Sequence, residues 1–173
     1  MVGRLFGINC VSGSGVKVLL RLQVRVSDED LSDIPPGLDW AAIVAVECVG
    51  DLEFQVDQVD LSVPETSALD LLLDFFFSLL QLSIGAESRS RCPIPEYGEH
   101  FEFQLNKGCQ VVVRLCSKEM ALKEAVVPLS LLLQTLWEQI ESIRLRISTL
   151  NPALDTGCLK IDYLGRSISQ SLR

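Results

Sequence analysis

The chain predicts an α+β fold: one domain rich in antiparallel sheet, about seven to eight strands, with two main helices at 63–82 and 129–147 packed on it. Three observations carry this. Val16, Val18, Leu20, Leu22, Val24 and Val26 alternate with Lys17, Arg21, Gln23 and Arg25, the period of a half-buried strand. Leu69 to Leu82 is Leu and Phe interrupted only by Asp70, Asp74, Ser78 and Gln81 at helical spacing. Leu129, Leu132, Leu133, Leu136, Ile140, Ile143 and Ile147 form one apolar helical face.

Gly13, Ser14 and Gly15 read as a turn before the first of these strands, which makes Leu5 to Val11 its expected partner. Ser27 to Leu38, with its acids and the pair Pro35 and Pro36, reads as a loop. Trp40 to Val49 reads as a third strand and Leu52 to Leu61 as a fourth, with Gly50 and Asp51 as the hairpin turn. Along the fourth, Leu52, Phe54 and Val56 share one face and Glu53, Gln55 and Asp57 the other, until the phase slips near Gln58 at a bulge or strand end.

Ser62 and Glu65 have capping-box spacing, with Pro64 in the first turn, so the first helix is expected to start there. Phe75, Phe76 and Phe77 fan over most of its circumference, so at least one must meet more than a single sheet face. Ala86 to Gly98 reads as a loop or an irregular edge strand. Phe101, Phe103 and Leu105, then a turn at Asn106 to Gly108, then Val111, Val113 and Leu115 make the clearest hairpin. A short strand at Glu124 to Val127 stops at Pro128, and Asn151 with Pro152 ends the second helix. Residues 1–147 read as one domain and 148–173 as an extension, with Leu159, Ile161 and Tyr163 as an edge strand before a frayed end.

Charge is unevenly distributed. Between Asp28 and Glu102 stand seventeen acids and two bases, Arg89 and Arg91, whereas nine bases face six acids from residue 103 onward. A regional acidic surface suits a basic protein partner, and the net charge of −8 argues against nucleic acid. The acids assigned to a binding face are Asp28, Glu29, Asp30 and Asp33 in the loop, with Glu53, Asp57 and Asp60 on the fourth strand. The bland alternative is a surface that only keeps the protein dispersed. No signal peptide is read at the N-terminus, and Leu69 to Leu82 is too short for a bilayer and carries two aspartates. A cytoplasmic protein with no membrane partner is expected.

No motif for chemistry emerges. His100 is the only histidine, so a triad built on Cys92 or Cys109 with His100 lacks any local signature. The six cysteines have no short paired spacing, so no metal site is expected and reduced thiols are. Asp28 to Asp33 is followed by Ile34, Pro35 and Pro36, which replace the glycine turn of a calcium loop. No phosphate loop is present, since Gly13 and Gly15 precede a strand instead of following one. No cofactor and no enzymatic activity are expected.

From Leu52 to Ile147 the order of elements resembles the WapI-type immunity proteins of bacterial polymorphic toxin systems and related small bacterial domains. The residues carrying the likeness are Leu52 to Leu61, Leu69 to Leu82, Phe101 to Leu105, Lys107, Gly108, Val111 to Leu115, and Leu129 to Ile143. The resemblance implies a small cytoplasmic protein that binds a cognate toxin and blocks it without chemistry. The alternative is a self-associating or small-ligand-binding domain, with a homodimer formed through Phe75 to Phe77.

Overall fold

The computed structural model describes residues 6–11, 15–24, 49–94, 97–107, 109–118 and 120–152. Two antiparallel sheets and two helices account for them. In the first sheet β1 (Phe6–Val11) pairs with β2 (Lys17–Val24), which pairs with β3 (Val49–Val56). The remaining edge of β3 is shared by β4 (Val59–Asp60) near its end and β5 (Val63–Ser67) near its start. A helix, α1 (Ala68–Ser83), follows directly.

The second sheet is a meander of β6 (Arg89–Ile94), β7 (Glu99–Asn106), β8 (Gln110–Ser117) and β9 (Met120–Pro128), closed by α2 (Leu129–Leu150). Helix α1 lies between the sheets and against α2, which covers β1 and β2. The predicted α+β class is therefore what the chain adopts, with nine strands among the described residues.

The phenylalanine run shows why α1 is so apolar. Phe75 meets Phe54 of the first sheet at a centroid distance of 6.0 Å and Phe101 and Phe103 of the second at 4.6 and 5.0 Å. The last two are edge-to-face, an arrangement that adds to area burial. Phe76 turns to Trp137 of α2 at 6.1 Å, and only Phe77 is left exposed. The core thus wraps two of the three rings, which leaves Phe77 alone of the predicted dimer patch. The helix ends as its sequence suggests: Gly85, at φ +72°, sends its N–H to Leu82 O while Ala86 N–H reaches Gln81 O. These are the two bonds of a glycine-dependent Schellman stop.

Several expectations are corrected. The first helix starts at Ala68, and residues 63–67 are strand, because Val63, Thr66 and Ser67 pair with Leu52, Gly50 and Val49. The Ser62–Glu65 box does not form: Ser62 Oγ accepts the Phe54 N–H, and the Glu65 N–H is taken by Asp51 Oδ1 at 2.8 Å. Sheet pairing outcompetes the local cap. Gly50 and Asp51 are not a turn but lie inside β3, paired across to Val24 and Gln23. The phase slip near Gln58 is the real hairpin, turning at Asp57 with φ 53°.

Ala86 to Gly98 contains an edge strand, and the predicted strand at Glu124 to Val127 extends to Met120–Pro128. Helix α2 runs three residues past the predicted end at 147, to Leu150. Of the strand expected at Trp40 to Val49, only Val49 is among the described residues, as the first residue of β3. The acidic loop with Asp28, Glu29, Asp30 and Asp33 and the edge strand in the C-terminal extension lie outside them. Among the described residues no helix is long and apolar enough to cross a membrane.

Candidate functional site

Two charged surfaces are available. The first is the β3–β4 hairpin, which holds the three described acids predicted to bind a partner. Asp57 is locked at its tip: its N–H donates to Lys17 O at 2.8 Å, and its Oδ1 accepts the Lys17 N–H at 2.9 Å. Asp60 Oδ1 accepts the Ser62 N–H at 3.0 Å. Hydrogen bonds from Ser62, helped by Lys123, hold the Asp60 carboxyl below its usual range despite partial burial. Glu53 points outward from β3, 3.8 Å from Arg21, and Asp60 lies 3.9 Å from Lys123. The structure thus brings Glu53, Asp57 and Asp60 to one hairpin, with a base beside Glu53 and beside Asp60 and main-chain bonds to Lys17 at Asp57.

The second surface is the outer face of the second sheet, and sequence reasoning missed it. Period-2 alternation sends Phe101 and Phe103 inward and His100, Glu102 and Gln104 outward. The register then aligns Arg91, Glu102, Arg114 and Glu124 in one row across all four strands. Arg89, two residues from Arg91 on the same face, leans over the same carboxylate.

Glu102 is the break in the alternation: it points outward, yet its side chain is only 3% exposed. Its cover is cationic. Glu102 Oε2 accepts from Arg89 Nη2, Arg91 Nε lies 3.6 Å from the same oxygen, and Arg114 Nη1 donates to Oε1 at 2.9 Å. Arg114 also donates to Gln104 Oε1 at 2.8 Å and to Glu124 Oε2 at 2.5 Å. Burial works to raise the Glu102 pKa, but the hydrogen bonds and charges of Arg89 and Arg114 outweigh it and hold the carboxyl below the ordinary range.

Around this carboxylate lies a depression of about 230 Å³, walled by Arg89, Arg91, Arg114, Lys118, His100 and Cys116. Donor atoms of His100, Glu102 and Cys116 fall within 4.8 Å of one another, a spacing that suggests a cation site. The surroundings oppose one. Both Glu102 oxygens already face guanidinium groups, and a dication would enter among four positive side chains. Burial, followed by the Glu102 charge, also pushes the Cys116 thiol up, against the loss of its proton that metal ligation needs.

The cysteine–histidine pairings weighed from sequence do not assemble. Cys92 faces the core, hydrogen-bonded to Ser78 at 2.9 Å, and shares its side of the sheet with its partner Phe101. His100 projects from the opposite side. Burial pushes the Cys92 thiol up to about 11, so it stays protonated at neutral pH. Cys109 sits exposed in the β7–β8 turn at φ 58°.

A signal for the second surface exists in the chain. Arg89 and Arg91 are the only bases within the acidic block, at strand spacing, and Glu102 and Arg114 stand equidistant from Gly108. Counting charge along the chain hides what folding the hairpin pairs. Compared with known proteins, the chain matches no family model, and no curated protein or solved structure gives a significant match.

Proposed function

We propose that this chain is a non-catalytic protein-binding module of immunity type, acting in the cytoplasm, which neutralises a basic protein by covering it with the acidic β3–β4 hairpin. The observation that carries the reading is the anchoring of Asp57 and Asp60 by main-chain N–H groups at an exposed hairpin tip. Carboxylates fixed before binding lose little side-chain freedom when a partner arrives. Their neighbouring bases are no obstacle. The Asp60–Lys123 and Glu53–Arg21 contacts are long and solvent-facing, worth about 0–1 kcal/mol, so a partner's arginines can displace them.

The test is association with the product of the neighbouring gene over a range of NaCl concentrations. Binding should weaken steeply with salt, and Glu53→Gln, Asp57→Asn and Asp60→Asn together should slow association. Indifference to both salt and the triple substitution would sink the reading. A second reading, a small-ligand-binding domain, is favoured by the depression on the second sheet.

A further inference from the structure

We propose that the second half of α2, from Gln139 to Leu150, is a releasable strap: it opens while both sheets and α1 stay folded, and the buried amide of Gln139 sets how readily it does so. The proposal uses neither charged surface and stands apart from the acidic-hairpin reading.

The first argument is the amide itself. Gln139 lies in a helical row with Thr135 and Ile143 and is 0% exposed, yet neither its Nε2 nor its Oε1 has a hydrogen-bond partner among the described residues. Closing the helix therefore strips water from a donor and an acceptor and returns no bond to either, whereas opening gives both back to water. Thr135, one turn earlier and equally buried, shows the satisfied alternative: its Oγ1 donates to Leu131 O at 2.8 Å.

The second argument is unequal anchoring. The first half of α2 buries Leu131, Leu132, Leu133 and Leu136, sets Trp137 against Phe76 at 6.1 Å, and starts with the Leu129 N–H on Cys109 O at 2.9 Å. From Gln139 onward the buried apolar side chains are Ile140 and Ile143. After Ile143 none of the described side chains of the helix is buried, and Leu145 is 52% exposed. Segments with little buried apolar contact are the first to open.

The end of the helix points the same way. Its last turn holds no base to meet the negative end of the helix dipole. The hydroxyls of Ser148 and Thr149 both donate to Leu145 O, at 3.2 and 2.7 Å, a back-bonding that competes with the helical ladder. Opening bares Ile140 and Ile143, so the strap alternates between a closed form and one that presents apolar surface.

The experiment is native-state hydrogen exchange of the full chain, read residue by residue. Amides from Gln139 to Leu150 should exchange roughly tenfold or more faster than those of β7 and β8. Gln139→Leu, close in size and without polar atoms, should slow the strap amides roughly tenfold or more, and Gln139→Met serves if the branched side chain packs badly. Phe103→Leu, which alters ring contacts to Phe75 and Phe101, should speed exchange in β7 and β8 and leave the strap unchanged, because the second sheet stays folded when the strap opens. The proposal is overturned if the strap exchanges no faster than β7 and β8, or if Phe103→Leu speeds both alike, since α2 would then open only with the whole fold. It is equally overturned if Gln139→Leu and Gln139→Met both unfold the chain, or both leave strap exchange unchanged or faster, since the amide would then be satisfied in place.

Discussion

The β3–β4 hairpin and the outer face of the second sheet use charge in opposite ways. On the hairpin, each acid is anchored by backbone or accompanied by one loosely placed base, and Asp60 remains 56% exposed. On the second sheet a single carboxylate is almost fully covered, by three guanidiniums, one of which is tied to a second acid. Between these two regions, number of charges and strength of coupling are unrelated. The acid-rich segment of the chain yields weak pairs, while the strongest electrostatic cluster forms around the two bases that interrupt it.

Substitutions rank that contrast. The largest effect should come from neither surface but from the ring joining the sheets that carry them. Phe75→Ala removes contacts to Phe54, Phe101 and Phe103 and should cost about 3–5 kcal/mol in urea unfolding. A loss below that of Glu102→Gln would mean the two sheets are held together elsewhere. Glu102→Gln leaves three cations facing one another; because they are partly solvated, the expected loss is on the order of 2 kcal/mol. Asp60→Asn should change stability by about 0.5 kcal/mol or less, since its partner Lys123 is exposed and 3.9 Å away. Equal losses from Glu102→Gln and Asp60→Asn would erase the distinction drawn between the regions.

Acid titration separates the two regions further. The folded pKa values of Glu102 and Asp60 lie below their ordinary values of 4.5 and 3.8, so each contributes stability above those values. That contribution is lost as pH falls through the lowered folded value. Because three guanidiniums meet Glu102 and a single exposed lysine lies beside Asp60, removing Glu102 should flatten the acid limb of stability more than removing Asp60. The smallest effect concerns the thiols. Site-resolved alkylation at neutral pH should label exposed Cys109 before buried Cys92 and Cys116, and prompt labelling of Cys92 would contradict its protected place on the inner face of β6.

Much of the fold is legible because sheet and helix periods are local. The β7–β8 hairpin and both helices stand close to where alternation and amphipathicity put them. The start of the first helix is not legible, because Ser62, Pro64 and Glu65 offer a cap, whereas the open edge of β3 offers hydrogen bonds to the same segment. Gly50 imitates a turn for a related reason. Its pairing with Val24 and Thr66 depends on strands distant in sequence.

Residue type and spacing along the chain are enough to set the class of fold, the buried faces and the uneven charge. Which charges meet is a matter of tertiary structure alone. Register across four strands puts Arg91, Glu102, Arg114 and Glu124 in one row, with Arg89 over the same carboxylate. Coulomb energy depends on distance through space, and distances between strands are set by pairing and not by position in the chain.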